Sequence, residues 1–359
     1  MNRFFAPFVC AVVSGLLAAG MPATLAQESD FPPAENETDR YQLEEVFTGL
    51  NNPAGLALRP PSGDDVADEF FFAESGAGRV LRFSVDSPTE NHEVLNELTT
   101  HRLGAEDPIE VGPWALGFLT PSKLVVMGGV QVDGEEQVGV YFLPENAKVL
   151  SANQVDHSVG PLTTGDTVEQ LGFQAVAVGE TSAYFASGSE NATGQIYSSP
   201  LEANQLDSFR PLLKEQITEW PAGLCLSPVN SAGSQYLVGS YLGELQEARD
   251  SRLVFFDPFS GSVLMQLNSG LFDLVGLAYS PSGRLYAIDF AWQKPEAGGV
   301  YRLDDARWEG RPACRAVKIA KVVRPTSLAF ASDGTMYVTA FGSSDKPKQG
   351  KIVKITGEF

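Results

Sequence analysis

Short apolar segments recur along the chain with one internal pattern. The fourth position of each segment is Leu or Val, and these anchors are Leu56, Leu116, Val176, Leu224, Leu277 and Leu328. Successive anchors lie 60, 60, 48, 53 and 51 residues apart. The six segments themselves are Pro53–Leu58, Pro113–Phe118, Phe173–Val178, Pro221–Leu226, Leu274–Tyr279 and Pro325–Phe330. Nearly continuous apolar runs are typical of strands buried on both faces, so the pattern predicts six repeats that each begin with a buried strand.

Two further strands are predicted after each anchor. The second strands are predicted at 71–74, 125–128, 184–187, 236–239, 286–289 and 337–340, and the third at 79–83, 139–142, 195–197, 252–255, 299–303 and 351–355. Glycines between strands, as in Ser280–Gly283 and Ser332–Gly334, indicate hairpin turns. Fourth strands are less regular, with examples at 262–267 and 316–320. Four short strands per repeat favour an all-β, six-bladed β-propeller over residues 41–359.

The last repeat has three predicted strands, whereas an unassigned strand, Tyr41–Phe47, precedes the first repeat. We expect this N-terminal strand to supply the missing fourth strand, because that closes the ring without leaving a long open edge.

The motifs resemble the NHL-repeat and gluconolactonase-like six-bladed propellers. The resemblance rests on Pro53–Leu58, on Phe71–Phe83 and on Ser332–Thr339, and it extends over essentially all of 41–359. It implies the blade architecture but no particular chemistry, because propellers support many unrelated activities.

The N-terminus has the features of an export signal. One Arg precedes an apolar run from Phe4 to about Gly20, and Thr24-Leu25-Ala26 has the small residues that signal peptidase recognises, so residues 1–26 are predicted to be removed. Residues 27–40 are polar and acidic and are predicted to form a disordered leader. We therefore expect a periplasmic or extracellular protein without a membrane span in its mature chain.

The acidic composition limits the partners. The formal net charge is −20, and argues against nucleic acid, which is bound through Lys and Arg. A small molecule, a glycan or a protein remains open as the partner. Cys225 and Cys314 are the cysteines outside the predicted signal peptide, and the sequence leaves open whether they pair.

Propeller geometry predicts a site at the channel mouth. Loops that precede the first strands and loops that join second to third strands share this face. Its candidate ligand-binding residues are Glu74, Glu110, Glu169, Gln174, Glu219, Trp220, Asp273, Asp289, Trp292 and Arg324. The oxygens among them suit Ca²⁺, although acids are expected in any surface loop of so acidic a chain. Trp114, Trp220 and Trp292 are suited to stacking on a sugar ring or holding a peptide, but each could instead be a packing residue, and for Trp114, on an apolar inner strand, a place in the core is the favoured alternative.

The resemblance allows a test of lactonase chemistry. Gluconolactonases hold a divalent ion through Glu, Asn and Asp, with Asn or Asp typically just before the small third residue of inner strands. The residues at that position here are Ala54, Trp114, Gln174, Ala222, Val275 and Thr326. None is a carboxylate, and Gln174 alone offers a side-chain carbonyl oxygen.

Three functions follow in order of preference. The first is an exported propeller that binds an unknown ligand at the channel mouth. The second is a metal-assisted hydrolase or lactonase acting on a sugar-derived substrate, with Ca²⁺ polarising a carbonyl and Glu110 or Glu169 as base. The third is a quinone-linked sugar oxidoreductase, which the positions of His92, His101 and His157 outside the predicted inner strands disfavour.

Overall fold

The computed structural model is a ring of six β-sheets. It describes residues 34–63, 66–103, 109–128, 137–144, 148–161, 171–189, 194–213, 220–243, 248–342 and 348–359. In this part of the chain there are no α-helices, and the helical turns are the short 3₁₀ segments Thr38–Arg40, Ser75–Ala77 and Ala152–Gln154. The predicted six-bladed β-propeller is confirmed.

Each blade is an antiparallel meander whose first strand is innermost. Blade 1 consists of Pro53–Leu58, Glu69–Glu74, Arg79–Ser84 and His92–Asn96. Blade 2 consists of Pro113–Thr120, Lys123–Gly128, Val138–Phe142 and His157–Val159. Blade 3 consists of Leu171–Val178, Ser182–Ser189, Gly194–Glu202 and the short strands Gln205–Leu206 and Arg210–Pro211.

The second half of the ring repeats this order. Blade 4 consists of Trp220–Leu226, Leu237–Leu242, Arg252–Phe256 and Val263–Asn268. Blade 5 consists of Leu274–Tyr279, Leu285–Asp289, Gly299–Trp308 and Arg311–Ala320. Blade 6 consists of Pro325–Phe330, Met336–Ala340, Gly350–Thr356 and Gln42–Leu50. A separate two-stranded hairpin, His101–Leu103 with Ile109–Val111, connects blades 1 and 2.

The N-terminal strand closes the ring, as predicted. Gln42–Leu50 pairs antiparallel with Gly350–Thr356, from Gln42 opposite Thr356 to Leu50 opposite Gly350. The first strands of all six blades contact their neighbours on both sides, including those of blades 6 and 1.

Apolar clusters between adjacent blades form the core. At the junction of blades 6 and 1, Phe70 and Phe83 pack on Tyr337 with ring centroids 4.7 and 5.4 Å apart. All three rings are almost fully buried. Side chains of the middle strands fill these clusters on both sides of each blade. The second strands are therefore more apolar than strands that have one face in water.

Part of the predicted disordered leader is ordered, which corrects that expectation for the residues described. Glu35–Asn36 pairs in parallel with Val317 and Lys318 at the outer edge of blade 5. Glu37 then pairs with Arg302 at 2.9 Å, and Arg302 also binds Asp304 through two hydrogen bonds. The composition suggested disorder because the segment has little to bury; the sheet edge and a half-buried cation hold it instead. The predicted signal peptide, 1–26, and residues 27–33 lie outside the described residues.

Within the described ranges, no helix is long and apolar enough to span a membrane.

Cys225 and Cys314 are free thiols, and burial raises the pKa of Cys314 to about 12.

Candidate ligand-binding site at the channel mouth

The predicted site residues fall on two sides of the channel mouth. Glu169 and Glu219 lie outside the described residues. Those with described surroundings are Glu74 and Glu110 at blades 1 and 2, Gln174 at blade 3, Trp220 at blade 4, and Asp273, Asp289, Trp292 and Arg324 at blades 5 and 6. The blade 5 residues come together most closely.

A row of aromatic rings crosses the mouth. Trp292 stacks on Phe290 with centroids 5.1 Å apart and planes at 19°. Phe290 meets Phe341 edge to face at 5.8 Å, and Phe341 meets Trp114 in the same way at 5.8 Å. The two phenylalanines are buried, whereas both tryptophans at the ends of the row are partly exposed. The row therefore presents two indole surfaces on a rigid apolar base.

Phe290 and Phe341 were not among the predicted site residues. Each follows directly after the second strand of its blade, which ends at Asp289 in blade 5 and at Ala340 in blade 6. An aromatic residue at the same repeat position in consecutive blades is the signal in the sequence that could have identified them.

Arg324 lies beside this row. Its guanidinium carbon is 5.9 Å from the centroid of the Trp292 ring, within the range of a cation–π contact. Arg324 has a left-handed backbone conformation, with φ of 50°, and its carbonyl oxygen accepts a hydrogen bond from Phe341 N. The bend before the first strand of blade 6 thereby places the cation next to the indole.

Trp220 occupies a different part of the wall. Its indole lies directly over the backbone of Gly188, where even a Cβ atom would collide with the ring. Gly188 is near the end of the second strand of blade 3, so the close approach joins blades 3 and 4. Trp220 is thus a packed wall residue with a partly exposed surface.

Asp289 is a fully buried carboxylate beneath the aromatic row. It accepts hydrogen bonds from the backbone N–H groups of Phe272, Asp273 and Ala291 at 3.2, 2.8 and 3.2 Å. Burial raises the pKa of Asp289, and the three N–H donors and the nearby ammonium of Lys318 oppose that rise. Asp289 consequently holds together the two loops that carry the blade 5 part of the site.

Asp273 is the second buried acid of blade 5. Its Oδ2 atom accepts a hydrogen bond from the backbone N–H of Trp292, and its Oδ1 atom has no hydrogen-bond partner among the described residues. Burial, reinforced by the negative charges of Asp289 and Asp250, raises the pKa of Asp273 to about 6. The group is 2 % exposed, so a buried acceptor that lacks a partner among the described residues lies next to the backbone of Trp292.

On the opposite side, Glu74 is fully engaged. Its two carboxylate oxygens accept hydrogen bonds from Asn51 N at 2.7 Å and from Arg79 Nε at 2.6 Å. Arg79 also pairs with Glu93 at 3.0 Å. Glu74 therefore ties blade 1 together and does not present a free carboxylate to the mouth.

The other predicted polar residues are less central. Glu110 is partly exposed and pairs with Arg102 at 3.2 Å, while its carbonyl oxygen accepts a hydrogen bond from Asn52 Nδ2. Gln174 is half-buried, and its Nε2 atom lies 3.3 Å from Gly172 O. Neither side chain is brought to the aromatic row by a described contact.

The described residues do not fit a divalent cation. No group of three or more His, Cys, Asp and Glu side chains among them converges on a common point. At the inner-strand position of the lactonase ligands, Ala54, Ala222 and Val275 have no donor atoms, and the Thr326 hydroxyl bonds to Pro53 O at 2.7 Å and contacts Thr339 Oγ1. We therefore derive no chemical step through a metal.

The three histidines lie away from the inner strands, as predicted. His92 and His157 are on the outer strands of blades 1 and 2, and His101 is on the separate hairpin. His157 Nε2 is hydrogen-bonded to Leu206 O at 2.9 Å, which connects blades 2 and 3.

A cleft of about 640 Å³ also exists elsewhere, at the outer side of blades 5 and 6. It is lined by Glu37, Arg40, Tyr41, Arg284, Arg302, Asp304, Gly357 and Glu358. The N-terminal segment forms part of its wall, where Glu37 pairs with both Arg40 and Arg302.

Solved structures with the same fold are known. A gluconolactonase from Xanthomonas campestris superposes with a TM-score of 0.55 at 12% identity, covering 89% of this chain and 90% of its own. A putative oxidoreductase (glucose dehydrogenase) from Thermus thermophilus reaches 0.56 at 18%, covering 88% and 100%. The calcium-binding protein regucalcin from Agrobacterium tumefaciens reaches 0.54 at 13%, covering 89% and 96%. These similarities show that the chain shares the β-propeller fold of these proteins.

No protein-family model and no curated protein matches the sequence. At 12 to 18% identity the three structures are informative about the fold alone.

Proposed function

We propose that this protein is an exported binding propeller that holds a small cyclic, hydroxyl-bearing ligand, such as a sugar or sugar acid, on the aromatic row at its channel mouth. The row of Trp292, Phe290, Phe341 and Trp114 is the observation that carries the proposal. Indole rings bind the C–H face of a sugar because both surfaces are apolar, and stacking removes both from water without requiring a charged group.

The neighbouring polar groups suit such a ligand. Arg324 is placed beside Trp292 and supplies a donor for a ring hydroxyl or a carboxylate. Two structures of the same fold have names that refer to glucose chemistry, which makes glucose derivatives the first ligands to test.

The direct test is titration calorimetry with D-glucose, D-gluconate and gluconolactone, followed by the best binder against two variants. Trp292→Ala should weaken binding by about 1–2 kcal/mol, or roughly 5–30-fold in Kd, because one stacking surface is lost. Trp308→Ala is the matched control, because Trp308 is at the far end of the third strand of blade 5. It should leave Kd unchanged.

Equal losses in both variants, or no loss in Trp292→Ala, would place ligand binding away from the row. Because the Asp273 contact is made to the backbone N–H of residue 292, Trp292→Ala keeps that hydrogen bond and is expected to fold normally.

A second function, hydrolysis of a lactone, is favoured by one feature. Asp273 is a buried carboxyl group with a pKa of about 6 and an oxygen that has no hydrogen-bond partner among the described residues, which are properties of a general base. Hydrolysis of gluconolactone that is abolished by Asp273→Asn would replace the binding function with this one.

The export part of the proposal rests on residues 1–26. The protein secreted or released from the periplasm should begin at Gln27, and N-terminal sequencing of that material tests it. An intact Met1 in the cell-associated protein would contradict it.

A further inference from the structure

The outer strand of blade 4 is an open, apolar sheet edge. Val263–Asn268 ends its four-stranded sheet and has no further strand partner among the described residues. Val263, Leu264 and Met265 are 56%, 52% and 36% exposed, and the nearby Phe259 is 83% exposed. We call this strand with Phe259 the blade 4 edge.

The outer edges of the other blades are blocked in recognisable ways. Leu150–Ser151 adds a parallel strand to blade 1, and Glu35–Asn36 does the same for blade 5. The outer strand of blade 6 carries the exposed charges Glu44 and Glu45. Blade 2 ends in a three-residue strand, and blade 3 in two-residue strands, one of which contains Pro211. Short, charged or covered edges prevent strand addition, so the blade 4 edge lacks the usual protection.

The turn before this strand displays Phe259 in a fixed position. Asp257 Oδ1 accepts hydrogen bonds from Phe259 N at 3.1 Å and Ser260 N at 2.7 Å. The backbone of Asp257 exchanges further hydrogen bonds with Gly261 and Ser262. A large aromatic side chain on such a constrained turn loses little entropy on binding, which is characteristic of an anchor residue at an interface.

Charge indicates what occupies the edge. The segment from Pro258 to Phe272 contains no charged residue, although the whole chain has a net charge of −20. Two copies repel each other across most surfaces, but this segment brings identical uncharged strands together without a like-charge contact. A basic partner, by contrast, would be attracted to the acidic surfaces and not to this edge.

We propose that the blade 4 edge pairs with the same edge of a second copy. Two-fold antiparallel pairing in the register that joins all six residues sets Val263 opposite Asn268, Leu264 opposite Leu267, and Met265 opposite Gln266. The two sheets become one eight-stranded sheet, and the contact is isologous, the commonest arrangement of homodimers.

The exposed area predicts a weak dimer. If a side chain of this size presents roughly 175 Å², the four exposed residues offer on the order of 400 Å² per copy, about half the area of a standard interface. A contact of this size belongs to the weak, transient class of interfaces, so the dimer is expected to form only at high protein concentration.

Sedimentation velocity of the chain as its host produces it, from about 1 to several hundred µM, is the test. The wild type should pass from the mass of one chain to that of two. Val263→Lys should remain monomeric over the whole range, because a charge on the edge blocks strand addition. Val66→Lys is the matched control, since Val66 is 55% exposed on blade 1, and it should dimerise like the wild type.

A wild type that stays monomeric to several hundred µM overturns the proposal, including the case in which a different protein occupies the edge. A Val263→Lys dimer also overturns it. Thermal unfolding of both variants establishes that they are folded, and Phe259→Ser, which changes no strand residue, should weaken dimerisation at least fivefold.

Discussion

Blades 1 and 5 each bury an acid at the channel mouth, and they hold it with different partners. In both, the second strand ends in a buried acid, Glu74 in blade 1 and Asp289 in blade 5, opposite the first residue of the inner strand. The residue just before the inner strand is Asn52 in blade 1 and Asp273 in blade 5. The residue opposite the acid on the third strand is Arg79 in blade 1 and Gly299 in blade 5.

These differences in residue type between the two blades change the electrostatics of equivalent positions. Blade 1 has an acid in direct contact with a cation, and the uncharged Asn52 where blade 5 has Asp273, so its charge is neutralised within the blade. Blade 5 has two acids, held mainly by backbone N–H groups, and the pKa values of both acids are raised by burial. A fold that repeats one scaffold can thus leave a buried acid with an oxygen that has no partner among the described residues in one blade, while the same position holds an uncharged amide in another.

The largest effect should come from removing the acid of blade 5. Asp289→Ala leaves three buried N–H groups without an acceptor and should cost about 3–5 kcal/mol in the free energy of unfolding. Glu74→Ala should cost about 2 kcal/mol, because Arg79 is 38% exposed and keeps Glu93 as a partner. Urea unfolding of both variants measures the two losses in the free energy of unfolding. Equal losses would contradict the structural role of the three backbone N–H groups that bind Asp289.

Stability should also respond to pH through blade 5. The pKa of Asp273 is raised to about 6, so the folded protein holds this proton more tightly than the unfolded chain does. Stability from this group is therefore highest below pH 4, falls as the pH rises from about 4 to 6, and is fully lost above that. The difference between the pKa of about 6 in the folded protein and the ordinary value of 3.8 corresponds to about 3 kcal/mol in the free energy of unfolding.

Asp273→Asn removes this titration and retains an acceptor for Trp292 N–H. The difference in unfolding free energy between variant and wild type should change by about 3 kcal/mol between pH 4 and pH 7 in favour of the variant. A difference that stays constant over this range would show that Asp273 does not titrate as described.

A smaller effect isolates the cation of blade 1. Arg79→Gln should cost about 1–2 kcal/mol, and a double-mutant cycle with Glu74→Gln should return a coupling of similar size, because Glu74 is 4% exposed. The more exposed pair of Lys351 and Glu45, 2.7 Å apart, is the control and should couple by less than about 0.5 kcal/mol. Equal coupling in the two pairs would mean that burial of Glu74 does not strengthen its ion pair.

Much of the fold was predictable because repetition is visible in the residues themselves. The inner strands Pro53–Leu58, Leu274–Tyr279 and Pro325–Phe330 have the predicted bounds, and the others differ by two residues at most. The ordered segment at Glu35–Asn36 was not predicted, because its stability depends on an edge strand more than 280 residues away, with Glu35 opposite Val317. The sequence predicted the face on which the candidate residues lie, but not which of their side chains come together. The aromatic row joins blades 2, 5 and 6, and no local pattern reveals such contacts.

The number of blades, their register and the closing strand could be read from the residues alone, because short, nearly continuous apolar runs act locally and recur six times. Glu74 and Asp289 occupy the same position in the repeat, and the residue opposite each on the third strand, Arg79 or Gly299, explains why blade 1 alone has the ion pair. The three backbone N–H groups that hold Asp289 come from two loops, and folding is needed to bring those loops together. Burial and partners, which arise when distant segments meet, set the chemistry of each carboxylate.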